Sequence, residues 1–250
     1  MKHVREMGES DIKGIKLIVL DVDGVLVPRG TKIKQRGNIT TLETKKIAAT
    51  QIEQIKKLYN KGFHININSG RGLYMLQDMF REVLDYISIT YENGSATWFK
   101  GKIIQHVNSF KFLKNVFLKL KKIKHKNIKG FEPKEFIITI HCTNKVNEIE
   151  KVMSKEKELY SIWNSEAYDI GVKKIQVKSV GLIKLISVLK LKKENVLVIG
   201  DNYNDAEMMS VGKIAVTADK SRVKGDFYVE LEKKRLPADI LIERLLEILK

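Results

Sequence analysis

Leu17-Ile18-Val19-Leu20-Asp21-Val22-Asp23-Gly24-Val25 reads as the end of a buried strand, running from Ile15, followed by two carboxylates one residue apart and a glycine turn. Two acids so placed can act on one centre in different roles, one attacking or binding a metal and the other handling a proton. A plain acidic turn has the same look. The reading gains weight because three other polar clusters follow apolar runs or open helices in the same way.

Working outward, Thr44 to Asn60 carries Ile47, Ala48, Ile52, Ile55 and Leu58 at helical spacing, closed by Lys61-Gly62. Strands are expected at Phe63 to Asn68, Tyr86 to Thr90 and Val196 to Ile199, and short final strands at Lys213 to Val216 and Phe227 to Val229. Helices are expected at Leu73 to Leu84, Val180 to Leu191 and Ala238 to Leu249, and a hairpin around Lys100-Gly101. Strands alternating with helices imply an α/β fold with a mostly parallel sheet.

The middle has another character. Ser109 to Lys124 and Asn144 to Lys157 read as helices, Phe136 to His141 as a strand, and Ile162 to Val177 as one or two more. This suggests an α+β module, 106–174, inserted into a core formed by 1–105 and 175–250. Between 111 and 134 there are nine lysines and a single acid, Glu132.

The 250 residues carry 46 Lys plus Arg against 30 Asp plus Glu, a net charge of +16, which favours anionic partners. Only eight of the cations are arginine, and none lies between Arg81 and Arg222, which weakens any case for base-specific nucleic-acid recognition. Cys142 is the sole cysteine, so no internal disulfide or cysteine-based zinc cluster forms, and a reducing cytoplasm is expected. No apolar run approaches the ~20 residues needed to span a bilayer, and no secretory signal is visible.

In an open parallel sheet, ligands bind beyond the carboxyl ends of the strands. Asp21 and Asp23 lie there. So do Asn68-Ser69-Gly70-Arg71, Lys178 and Gly200-Asp201-Asn202-Tyr203-Asn204-Asp205. Such a set suits phosphoryl transfer through an aspartyl phosphate. A carboxylate attacks phosphorus, and a divalent cation with a lysine offsets the crowded negative charge. Asp21 and Asp201 suit magnesium, Ser69 and backbone N–H groups near Gly70 a phosphate, Lys178 another phosphate oxygen, and Asp23 the proton.

These residues resemble the four motifs of the haloacid dehalogenase superfamily, in its Cof-like, sugar-phosphatase branch. Asp21-Val22-Asp23-Gly24 is similar to the first motif, Ser69-Gly70-Arg71 to the second, Lys178 to the third, and Gly200-Asp201 with Asn204-Asp205 to the fourth. Asn93-Gly94 also falls where Cof-like members carry Asn-Gly. The resemblance implies a Rossmann-like core with a type-2 cap between motifs two and three, Asp21 as nucleophile, Asp23 as acid/base, and Mg2+ held by Asp21, Asp201 and the Asp23 main-chain carbonyl. Asn204 and Asp205 would support the fourth motif. Val25 stands where Thr is common, and Ser179 where Gly usually follows the lysine. The stretch 28–41 is longer than expected and basic, either a flap over the substrate or a surface hairpin.

The leading expectation is a Mg2+-dependent phosphatase acting on a sugar phosphate or phosphorylated organic acid. Arg71 and, on the cap, His141 are the specificity candidates, with Thr139, Trp163, Glu166 and Tyr168 behind them. Alternatives are a phosphosugar mutase, or a lysine-rich nucleic-acid binder. Against the latter, Phe110, Phe112, Phe117 and Phe131 sit at mainly core-like spacings rather than forming a stacking platform.

Overall fold

The computed structural model describes residues 1–37, 39–232 and 234–250; Asn38, within the basic 28–41 stretch, lies outside the described residues. In chain order the elements are β1 (Lys2–His3), α1 (Glu9–Ile12), β2 (Leu17–Leu20), β3 (Lys32–Arg36), β4 (Ile39–Glu43), α2 (Ala49–Asn60), β5 (His64–Asn68) and α3 (Leu73–Met79). Then come β6 (Ile87–Tyr91), β7 (Ala96–Phe99), β8 (Lys102–Gln105), α4 (Phe110–Lys121), β9 (Ile128–Glu132), β10 (Ile138–Cys142), α5 (Asn147–Met153), β11 (Leu159–Trp163) and β12 (Ala167–Val172). The chain ends with α6 (Lys178–Val188), β13 (Val196–Gly200), α7 (Ala206–Val211), β14 (Ile214–Thr217), β15 (Phe227–Tyr228) and α8 (Pro237–Ile248). Two compact units result. One comprises Met1–Arg29, Lys45–His106 and Val177–Lys250, the other Gly30–Thr44 and Val107–Gln176.

The first unit is built on a nine-stranded sheet, ordered β1-β15-β14-β13-β2-β5-β6-β7-β8. All pairings from β1 to β6 are parallel, and β7 and β8 add an antiparallel hairpin. The central strand β2 is apolar at every position and fully buried, as a strand covered on both faces requires. On one face Leu17 and Val19 pack with Val196, Val198, Leu182 of α6, and Met208 and Met209 of α7. Leu20 is level with Ile67 on one side and Ile199 on the other, so the segments following β2, β5 and β13 emerge side by side.

Helix α2 starts at Ala49, five residues later than the apolar spacing suggests. Buried Gln51 explains the start: its Oε1 accepts the Ala48 N–H at 3.1 Å and its Nε2 donates to the Leu26 carbonyl at 3.0 Å. Gln51 thereby satisfies a helix-end donor and ties the helix to the loop after β2.

Along β5, the face that carries His64, Asn66 and Asn68 is polar, and it continues into β6 and β7. His64 Nε2 lies 3.0 Å from Ser88 Oγ. Asn66 Nδ2 donates to Ser88 Oγ at 2.9 Å and Thr90 Oγ1 at 3.1 Å. Thr90 Oγ1 meets Thr97 Oγ1 at 3.0 Å, and Thr97 Oγ1 meets His106 Nε2 at 2.9 Å.

The second unit has a four-stranded antiparallel sheet, ordered β11-β12-β10-β9. Helices α4 and α5 cover one face, with Leu113, Val116, Leu120, Ile149 and Met153 against Ile138, Ile140, Tyr168 and Ile170. Strand β9 is not apparent from sequence, because Gly130 and its lysine neighbours mask a short apolar alternation. The second unit also takes in an earlier stretch of the chain. Residues 30–44, expected in the core, belong to the second unit, where β3 and β4 pair as a hairpin beside β9. Gln35 Oε1 accepts the Phe131 N–H at 3.3 Å, and Gln35 and Ile33 lie close over Gly130, where a Cβ would be 3.0 Å from Gln35 Oε1. Among the described residues no helix is long and apolar enough to cross a membrane.

Burial, with Lys100 adding to it, pushes the His64 imidazole down to about 4 from an ordinary 6.5. The unfolded chain therefore takes up a proton that the folded chain refuses. The His64 contribution to stability is complete above pH 6.5 and is lost as pH falls towards 4, by roughly 3 kcal/mol. Urea denaturation at pH 7 and pH 4.5 is expected to show a smaller loss for His64→Gln than for the wild type. Equal losses would mean that His64 titrates as an exposed residue does.

Candidate active site

The candidate site lies in the first unit, where β2, β5, β13 and the start of α6 converge. Asp21 directly follows β2 and extends its ladder by donating its N–H to the Ile199 carbonyl at 3.2 Å. Lys178, the first residue of α6, places Nζ 2.7 Å from Asp21 Oδ1 and 2.6 Å from Asp205 Oδ1. The other oxygen of Asp205 accepts the N–H groups of Asp201 and Asn202 at 3.1 and 3.0 Å. Asp21, Asp201 and Asp205 are buried, and each offers an oxygen within 4.8 Å of the others.

The start of α6 is held by a close backbone approach. In the turn after β6, Asn93 and Gly94 have φ of 54° and 79°. A Cβ on Gly94 would lie 2.4 Å from the Val177 carbonyl oxygen, and one on Gly181 would lie 2.6 Å from Gly94 Cα. Only glycine lets this turn reach the helix. Asn68 Nδ2 adds a 3.3 Å bond to the Lys178 carbonyl.

Burial, then the like charge of Asp205, raises Asp21 well above the ordinary carboxylate range, with Lys178 opposing. Burial disfavours the Lys178 cation as well, but Asp205 and Asp21 outweigh it and hold the ammonium charged. Burial pushes Asp201 up to about 6 against the pull of Arg29, whose Nε lies 2.6 Å from Asp201 Oδ2. Three acids thus share two cations. A hard divalent cation bound by carboxylate oxygens fits this donor set and its excess negative charge.

Asp23 faces Arg71 in a fork, with Nε to Oδ2 at 2.8 Å and Nη2 to Oδ1 at 2.7 Å. Arg71 is buried, and its guanidinium addresses Asp23. Ser69 is buried, and its Oγ accepts the Arg71 N–H at 3.2 Å. Gly70 approaches Asn93, and helix α3 begins only at Leu73. Asn204 is exposed in the short turn Tyr203–Asp205.

On the sheet of the second unit, His141 Nε2 lies 2.9 Å from Glu132 Oε2. Buried Lys134 contacts Glu132 Oε1 at 3.4 Å and Thr139 Oγ1 at 2.8 Å, and Thr139 donates to Asp169 Oδ1 at 2.6 Å. Tyr168 belongs instead to the apolar core under the helices, with its hydroxyl 2.9 Å from the Val146 N–H. Phe110 and Phe117, expected at core-like spacings, are 68% and 38% exposed.

Sequence reasoning missed two features. Asp205, read as supporting, holds Lys178 and joins the acidic triad; the signal was its place four residues beyond Asp201 on a tight turn. Arg29 was counted only as part of a basic stretch, and nothing in the sequence pairs it with Asp201.

Removing the Lys178 charge leaves Asp21 and Asp205 buried without a counter-ion. Lys178→Met is expected to lower stability by about 3 kcal/mol at pH 8. The loss should shrink at pH 5, where the orphaned Asp21, already raised by burial, takes up a proton more readily. Chemical denaturation at the two pH values checks both the size and the sign.

A family model described as haloacid dehalogenase-like hydrolase matches residues 18–128 and 106–224. Phosphoglycolate phosphatase 1 of Saccharolobus solfataricus is 26% identical over 205 residues, 81% of this chain and 82% of that protein. A phosphatase of the haloalkanoate superfamily from Bacteroides thetaiotaomicron superposes with a TM-score of 0.66 at 18% identity, over 96% of each chain. A subclass IIB sugar phosphatase of the same superfamily does so with a TM-score of 0.59 at 19% identity, over 86% of this chain and 92% of that one. The chain belongs to the haloacid dehalogenase-like hydrolases and is a phosphatase of their Cof-like branch.

Proposed function

We propose that this phosphatase is Mg2+-dependent and hydrolyses a small phosphorylated metabolite, a sugar phosphate or phosphorylated organic acid, through an aspartyl-phosphate intermediate. The observation that carries the reading is the Lys178 ammonium bridging Asp21 and Asp205, with Asp201 beside them and the Asp23–Arg71 fork next along the chain. The substrate class is supported by what similar proteins are named for, phosphoglycolate in one and sugar phosphates in another.

Asp21 attacks phosphorus with a carboxylate oxygen, and the bond from phosphorus to the leaving oxygen breaks. Asp23 gives its proton to that oxygen, and the alcohol departs. Asp23, now a carboxylate, takes a proton from water as the water attacks the phosphorus of the aspartyl phosphate. Inorganic phosphate leaves, and Asp21 is restored. Lys178 holds charge against the phosphoryl oxygens, Ser69 donates to one of them, and Arg71 keeps Asp23 oriented. Asp21, Asp201 and the Asp23 carbonyl, with Asp205 behind them, would hold a divalent cation, which when bound would offset the repulsion between nucleophile and phosphate.

Phosphate release is to be measured over a panel of phosphorylated metabolites, with Mg2+ and with EDTA. The wild type is expected to need the metal, and Asp21→Asn to lose activity by roughly a thousandfold or more. Near-normal release by Asp21→Asn would overturn the nucleophile assignment. Asp201→Ala is expected to raise the Mg2+ concentration needed for half-maximal activity, and an unchanged titration would place the metal elsewhere.

A further inference from the structure

Arg29 closes on the rim of the acidic triad. Its Nη2 lies 2.5 Å from Asp201 Oδ2, 3.2 Å from the Asp201 carbonyl oxygen and 3.4 Å from Asp219 Oδ2, in addition to the Nε contact with Oδ2. Arg29 is also the last residue of the first unit before the excursion Gly30–Thr44, and Lys45 is the residue at which the chain returns. Lys45 Nζ donates to the carbonyls of Pro28 and Arg29 at 2.6 and 2.9 Å. The root of the excursion is thus pinned twice, through the Lys45 ammonium and through the Arg29 guanidinium.

Lys178 serves Asp21 and Asp205, so Arg29 is the cation that serves Asp201. Both nitrogens that Arg29 brings to the Asp201 side chain use the same oxygen, Oδ2. A divalent ion among the three carboxylates would sit within a few Å of this guanidinium, and two cations at that range repel strongly in a partly buried site. We propose that Arg29 is a stand-in counter-ion of Asp201 which a divalent cation displaces, so that metal binding unpins the root of residues 30–44. The inference rests on the triad being the divalent-metal site.

The test uses metal-free protein and Mn2+ as the probe, with binding read by electron paramagnetic resonance of the free ion and the root read by hydrogen exchange at amides 29–31. Arg29→Met, which removes the competing charge, is expected to bind Mn2+ roughly tenfold more tightly than the wild type. Exchange at the root should quicken on adding Mn2+ to the wild type; in Arg29→Met it should be fast from the start and unresponsive. Equal affinities, or wild-type exchange indifferent to Mn2+, would overturn the Arg29 inference while leaving the metal site intact. Asp201→Asn separates the two claims, since binding as tight as wild type in that variant would remove the metal reading and this inference with it. Should Arg29→Met fail to fold, Arg29→Gln repeats the comparison with a polar but uncharged tip.

Discussion

The ammonium of Lys178, buried between Asp21 and Asp205, is the contact on which the first unit's arrangement turns. It joins the end of the central strand, the start of α6 and the turn after β13, segments 157 and 27 residues apart along the chain. Taking charges out of water costs several kcal/mol per ion, and attraction between them recovers this only when geometry is good and the remaining lone pairs are satisfied. Asp205 meets that condition through two backbone N–H groups. Burial and the like charge of Asp205 outweigh Lys178 at Asp21, and its proton affinity rises. The sheet holds in place a cluster that would not assemble for its own sake, and three buried carboxyls against two cations make a donor set that could hold a metal ion.

Much of the fold is legible from local pattern. Apolar runs ending at Asp21, Asn68 and Gly200 mark parallel strands, and the polar residues beyond them mark the edge where chemistry collects. The helical spacing of Ile52, Ile55 and Leu58 finds α2, but it cannot reveal that Gln51 caps the helix, because capping depends on Leu26, far away in sequence. Strand β9, and the place of the β3–β4 hairpin beside it, were illegible for a related reason. Their few apolar residues are interspersed with lysine, threonine and glycine, and they pack on each other rather than showing a strong apolar period.

Within the site, which residues gather was readable and their pairing was not. Asp21, Lys178 and Asp201 stand in motifs whose spacing carries meaning. The fork between Arg71 and Asp23 joins residues 48 positions apart, and the clasp of Arg29 on Asp201 joins residues 172 apart. Neither separation has a sequence signature. The lysines of α4 and the loop after it are largely solvent-exposed, and aromatic neighbours such as Phe117 and Phe131 lie under the ammonium of Lys121.

The chain of hydroxyls, amide and imidazoles on β5, β6 and β7 has a consequence for how the sheet finds its alignment. A one-residue slip between strands would turn Ile65 and Ile67 to the wrong side, and apolar burial alone forbids it. A two-residue slip keeps every side chain on its proper face, and burial is blind to it. Asn66 is opposite Ser88, and Thr90 is opposite Thr97. Sliding by two would pull those donors from their acceptors at fully buried positions, stranding several polar groups at about 1–3 kcal/mol each. The polar ladder therefore works as a vernier: hydrophobicity selects the face, and hydrogen bonding selects the notch.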